Sequence, residues 1–498
     1  MARSARLHPE TMATLKTLVA RMLAVLALVA LTVQPVAAQG ISVLRDAETE
    51  RLLQDMVDPL AEAAGLGAGS VEIVLLNDPS INAFVAGGQR IYVHSGLINA
   101  ADSANEVQGV LAHELGHITG GHINRFSEGA GNATRITLLS ALLAVGAALA
   151  GGGEAAMGVL GAGQQAAMGS FLAFSRVQEA SADAASVEYI ECAGIDGAGL
   201  ITFFGKLQNM EYRRHIPQDE SAGYSRTHPL TGDRIARLTD AINHGTGGPR
   251  ADLYAEVQEA PSVAGAQVIE REPGTCGTAP ADTTELEERF QRVKAKLYGY
   301  LAPPERTLTA FPEYMTGAPA RYARAYAYHQ QAKVEDALEE VDALIAADPA
   351  DPYFLELRGQ ILLESGRVQE SLPPLREATT LTGSNPLIAS SLGHALIATE
   401  DPANLDEAES VLRAAVGRDH ENPFAWYQLG VVYGQRGDIP RARLASAEQQ
   451  VMQGNFQSAL VNAQAAESAL PTGSPDWIRA QDVALQARGL LERQRDRQ

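Results

Sequence analysis

The sequence predicts an α+β chain, mainly helical, in which a metal-site domain is followed by an all-α solenoid. Three observations carry this expectation. His113, Glu114 and His117 form an H-E-x-x-H pattern within a stretch of helical periodicity. Strand-like runs precede it at 71–76 and 83–94, and beyond residue 320 Asp-Pro and Asn-Pro pairs recur at 34 and 37 residues.

The H-E-x-x-H stretch declares the chemistry. Residues four apart lie on one face of a helix, so His113 and His117 can offer both imidazoles to one zinc ion. Glu114 stands beside that metal, able to take a proton from an activated water and pass it to a leaving amine. Val107, Val110, Leu111, Leu115 and Ile118 recur at helical spacing, which makes the helix amphipathic and half-buried.

From the beginning, residues 1–38 read as a secretory signal. Arg3, Arg6, Lys16 and Arg21 give the positive start, 22–33 an apolar run, and Val36, Ala37 and Ala38 small residues for cleavage. Export is therefore expected. Removing this segment deletes four positive charges and one negative, which takes the net charge from −21 to −24. Such a surface repels nucleic acid and disfavours anionic lipid. The remaining chain, about 460 residues, exceeds one ordinary core and should divide into domains. Cys192 and Cys276 are the two cysteines; they can pair in an oxidising compartment or stay as small buried hydrophobes.

Residues 41–65 read as a helix with an intermittent apolar stripe, Leu44 to Leu60. The run 83–94 reads as a hairpin turning at Gly87 and Gly88, and an exposed edge there would let an extended substrate add as a strand. Between Ile136 and Phe174 the only charge is Glu154, with an apolar run at 138–150 broken by Gly151 to Gly153. That run is short for a bilayer-crossing helix of about 20 residues. It reads as a helical hairpin beside the active site, placed to act as a lid, with membrane contact peripheral at most.

Zinc held by two imidazoles needs a third protein ligand, with water in the fourth place. Glu179 is the candidate, and Asp183, one turn later, can orient a ligating imidazole. His228 precedes Pro229 on a loop ahead of a helix starting near Gly232. From there it can donate to the oxyanion of a tetrahedral intermediate or bind the metal and block the water, while Arg234 can brace a carboxylate or a substrate carbonyl. His122, five residues past His117, falls off the metal-binding face and reads as structural.

These residues resemble the zinc endopeptidase family of the HtpX heat-shock protease and the CAAX prenyl protease. The resemblance rests on Asn82 to Phe84 followed by Gly87 and Gly88, on His113, Glu114 and His117, on Ser175, Arg176, Glu179 and Asp183, and on His228, Pro229 and Arg234. It implies a gluzincin-type metallopeptidase domain at 39–245, one zinc per chain on His113, His117 and Glu179, and Glu114 as acid/base. A loop histidine approaches the metal in relatives, so it also implies a self-inhibited state through His228. Unlike those membrane proteases, this chain shows no set of transmembrane helices. Its layout is closest to the periplasmic members, which implies a periplasmic protease acting on misassembled outer-membrane β-barrel proteins and meeting the barrel-assembly machinery.

Residues 246–283, rich in Gly, Pro, Ala and Thr, read as a linker, and 284–319 as a connecting helix and loop. Asp351-Pro352, Asn385-Pro386 and Asn422-Pro423, echoed by Gly359, Gly393 and Gly430, give 320–498 the tetratricopeptide (TPR) signature of stacked helix pairs. Such arrays form concave surfaces that bind peptides or partner helices, so the repeats are expected to recruit substrate or machinery. The alternative reading is a periplasmic chaperone or scaffold with an idle metal site plugged by His228.

Overall fold

Asp46 opens the first helix. A computed structural model of the protein describes residues 42–149, 153–213, 228, 232–244 and 283–496; the expected signal, the residues around Pro229 and the linker up to 282 lie outside the described residues. The Asp46 side chain accepts from the Thr49 amide, so helix α1 spans Ala47–Ala63 rather than starting near 41. Ahead of it the chain is extended, and Val43 bridges to Leu76. Leu52, Leu53, Met56, Val57 and Leu60 of α1 form the expected stripe and are fully buried.

Three strands follow: β1 (Glu72–Leu76), β2 (Ala83–Val85) and β3 (Arg90–His94). Their order is β1-β3-β2, with β1 parallel and β2 antiparallel to β3. Gly87 and Gly88 turn the β2–β3 hairpin at φ of 66° and 103°, a region that side chains other than glycine's resist. β2 forms an edge of the sheet.

Helix α2 (Ser95–Ala100) leads into α3 (Ala104–Thr119), the helix of the two histidines, against which β2 packs. Ser103 caps α3 by accepting from the Glu106 amide, and the Glu106 carboxylate accepts in return from the Asp102 amide. Next come α4 (His122–Leu149) and α5 (Gly153–Cys192), the helical hairpin expected from 136–174 but much longer. The two helices meet through the small residues Ser140, Ala144, Gly163 and Ala167, while Leu138, Leu139, Leu142, Leu143 and Met157 stay exposed. Among the described residues no helix is long and apolar enough to cross a membrane. Cys192, which ends α5, is disulfide-bonded; Cys276, the chain's other cysteine, lies outside the described residues. Helices α6 (Ala198–Arg213) and α7 (Gly232–His244) complete the segment.

Helix α8 (Thr284–Leu301) resumes the chain and sends Phe290, Val293 and Leu297 into the same core as α1, β3 and α3. Its other side packs on α10 (Ala318–Gln330), after the short α9 (Pro304–Ala310). Pairs then stack: α10 with α11 (Val334–Ala347), α12 (Pro352–Glu364) with α13 (Val368–Leu381), and α14 (Pro386–Ala398) with α15 (Leu405–Arg418). Two more follow, α16 (Pro423–Gln435) with α17 (Ile439–Met452) and α18 (Phe456–Ala469) with α19 (Pro475–Asp496). The recurring Asp351, Asn385 and Asn422 are N-caps whose side chains accept from the first turn, with proline at the first helical position. The recurring glycines leave room for the paired helix: a Cβ on Gly359 or Gly393 would strike Leu375 or Leu412.

A buried polar seam joins the repeats to the first core. Lys296 of α8 donates to Asp46 at 2.6 Å and Glu48 at 3.1 Å, Arg292 pairs with Glu48 and Asp351 at 2.7 Å, and the Tyr322 hydroxyl donates to Glu48 at 2.8 Å. Charges buried this deeply persist only when paired this completely.

Candidate metal centre

Gly116, between the two histidines, lets α5 come close. A Cβ there would lie 2.6 Å from the carbonyl oxygen of Ala182, so no larger residue fits between α3 and α5 without moving one of them. This contact brings the α5 carboxylates to the α3 imidazoles. His113, His117, Glu179 and His228 each direct one ligand atom to a common point, all within 4.8 Å of one another, and all four side chains are buried.

The spacings suit a small tetrahedral cation. His113 Nε2 lies 3.1 Å from His117 Nε2, 3.3 Å from His228 Nδ1 and 3.3 Å from Glu179 Oε2. His228 Nδ1 lies 3.0 Å from Glu179 Oε1, and His117 Nε2 lies 3.5 Å from the same oxygen. Ligands about 2.0–2.1 Å from a tetrahedral zinc stand about 3.3 Å apart, which is the separation found here.

Each imidazole on α3 is held from behind. His113 Nδ1 meets Asp183 Oδ1 at 3.0 Å, and Asp183 is gripped by the Arg234 guanidinium at 2.6 and 2.7 Å. Arg234 also reaches Glu179 Oε2 at 3.0 Å and stacks over Phe204. Of the two uses the sequence left open for Arg234, the geometry has it bracing carboxylates. His117 Nδ1 lies 2.9 Å from His122 Nδ1, so His122, which the sequence sets aside as structural, stands directly behind a ligating ring. A hydrophilic residue one turn past the motif, on a helix that starts there, was the only signal for it.

Burial works against a charge on Glu179, but His228, Arg234 and His117 outweigh it and hold the carboxyl well below its usual range. Burial likewise opposes charge on His113, yet its hydrogen bonds with Asp183 and Glu179 prevail and its pKa rises to about 9. His117, crowded by burial and the neighbouring imidazoles, is pushed well down despite Glu179. The cluster thus holds one assured anion among imidazoles, an environment in which a divalent cation replaces protons. The other nitrogen of His228, Nε2, lies 3.4 Å from Glu114 Oε1. His228 therefore bridges the place of a fourth ligand and the carboxylate that sequence pairs with the reaction.

Residues 47–242 match the family described as Peptidase family M48, and 322–386 match a tetratricopeptide repeat. The likeness to M48 metallopeptidases thus falls on the segment 47–242, which carries the His113, His117 and Glu179 cluster. The chain is 25% identical over 428 residues to the beta-barrel assembly-enhancing protease of Escherichia coli K12, across 84% of this chain and 79% of that protein. It is 24% identical over 457 residues to the protein of the same name from Yersinia pestis, covering 89% and 85%. Over 166 residues, 33% of this chain and 59% of the relative, it is 32% identical to metalloprotease LoiP of Escherichia coli K12. The M48 domain and the repeats together account for the α+β, mainly helical architecture expected from the sequence.

Proposed function

We propose that this chain is an exported zinc-dependent endopeptidase of the periplasm that cleaves misfolded or misassembled proteins, outer-membrane β-barrel proteins foremost, and that its repeats recruit substrate or the barrel-assembly machinery. The observation that carries the reading is the convergence of His113, His117 and Glu179 on one point with Glu114 beside it. Two imidazoles and a carboxylate in tetrahedral array favour zinc. When bound, the cation supplies Lewis-acid polarisation of water and of the scissile carbonyl.

The residues themselves do the rest. Glu114 takes the proton of the attacking water and returns it to the leaving amine. Asp183 and Arg234 fix the His113 ring and the Glu179 carboxylate, and His122 steadies His117. The edge strand β2, packed on α3, offers main-chain partners to an extended substrate. Stalled barrel proteins present such extended edges, and the printed names of the relatives above support that substrate class.

His228 occupies the fourth direction of the cluster, so we read the site as self-plugged: the His228 imidazole leaves the cluster before catalysis. This same contact favours the second reading, a chaperone or scaffold with an idle centre. Metal content and cleavage of an unfolded protein, compared in the wild type, Glu114→Gln and His228→Ala, separate the two. The protease reading expects about one zinc per chain, a loss of roughly 10²–10⁴-fold in Glu114→Gln and a gain in His228→Ala. Loss in both variants would make His228 a catalytic helper, and metal without turnover in any of them would favour the scaffold. Capture on Glu114→Gln of substrates that include no outer-membrane protein would end the barrel assignment.

A further inference from the structure

A cavity of about 420 Å³ lies where the start of α1 and helix α8 meet the repeats. Leu44, Leu363, Leu387 and Phe424 give it apolar walls, and Glu356 of α12 adds one carboxylate. The other charges around it are committed. Lys296 serves Asp46 and Glu48, Arg45 pairs with Glu50 and Asp419, and Glu364 is bonded by His329 and Gln360. Glu356 forms no hydrogen bond or ion pair with any described residue. This half-buried carboxyl beside apolar walls feels Lys296 only at a distance, and it gains a charge-assisted contact when a ligand brings a cation to it.

We propose that this cavity binds an extended segment of another protein by accepting a lysine side chain, with its alkyl stem along Leu363, Leu387 and Phe424 and its ammonium on Glu356. The wall comes from α12, α14 and α16, first helices of successive pairs, which form the surface that repeat arrays offer to peptides. A long apolar stem ending in a single cation matches apolar walls beside one carboxyl that no described residue bonds. An arginine fork would leave donors unanswered, because the neighbouring acids are already paired. The strongly acidic chain also draws basic segments towards it. The proposal deepens the recruiting role given to the repeats and rests on that reading.

Burial pushes the Glu356 carboxyl up to about 8; Lys296 opposes this, and Asp46 and Glu48 reinforce it. The groups facing it do not compete in the neutral range: Lys296 and Tyr326 are raised, while His394, Glu364 and Asp46 are lowered. Capture of an ammonium therefore expels a proton from Glu356, and binding tightens from pH 6.5 to 9.

The test uses the full chain as Glu114→Gln, which cannot cleave its ligand. The probe is an acetylated, amidated heptapeptide with a lysine between two leucines, against its norleucine counterpart, followed by fluorescence anisotropy. The lysine peptide should bind about tenfold tighter, as one charge-assisted contact allows, and more so at pH 9. Adding Glu356→Gln should bring it to the norleucine level, and Ser391→Trp, which fills the cavity, should weaken both peptides. Equal binding of the two peptides, no binding of either, or an undiminished lysine preference in Glu356→Gln would overturn the proposal. Because binding is read without cleavage, such a failure leaves the protease reading untouched, and that reading fails separately if the wild type cleaves nothing.

Discussion

Asp183 does at residue scale what no ligand can do for itself. It fixes which nitrogen of His113 faces the cluster, and Arg234 fixes Asp183 in turn. Replacing Asp183 by Asn should weaken metal affinity by about 10–100-fold, measured by competition with a chelator; unchanged affinity would mean that the ring needs no such anchor. The raised pKa of His113 gives a second expectation. In metal-free protein its protonation stabilises the fold fully below the ordinary value of 6.5, and that contribution is lost as pH rises through about 9. Metal must displace the same proton, so affinity should climb across that interval while the melting temperature of chelated protein falls. A flat affinity from pH 6.5 to 9.5 would contradict this. His113, Glu114 and His117 are legible in sequence because helical spacing alone puts two rings on one face. Glu179, Asp183, His228 and Arg234 are legible as motifs, but their meeting is not, since it depends on helices 50 and more residues apart. His122 carried no distinguishing spacing, and its place behind His117 follows from a turn at Gly120 and Gly121 that periodicity does not describe.

At the scale of elements, the site depends on how closely α3 and α5 approach. Gly116→Val should force the helices apart at Ala182, costing about 1–3 kcal/mol of stability and removing cleavage together; a fully active variant would show that the helices tolerate separation. The α4–α5 hairpin was readable from its apolar composition and its glycine break, because nothing else suits so long an uncharged run. Which face it covers was not readable: small residues fill the helix contact, and the leucines that a sequence would assign to a core lie outside. The repeats were the most legible elements of all. Their caps and glycines sit at a fixed period, so local chemistry reports directly on helix starts and pair contacts.

The whole molecule is held by a seam that sequence patterns do not reveal, because Lys296 and its partners Asp46 and Glu48 are about 250 residues apart. Lys296→Met should cost about 3–5 kcal/mol by leaving buried carboxylates without their cation. Since Val43 onward forms one unit, calorimetry should show a single transition that this substitution shifts as a whole; two separate transitions, with only one displaced, would break that expectation. Helix α8 has a further consequence. Phe290, Val293 and Leu297 complete a core whose other helices all lie before residue 245, so the chain runs through 245–282 before that core is finished. During synthesis the catalytic half must wait for α8 to be made, and two fragments divided between residues 245 and 282 should reassemble in trans around that helix. Exchange of repeat arrays between relatives by recombination within 245–282 would carry away part of the enzyme's interior, which ties the inheritance of the two halves together.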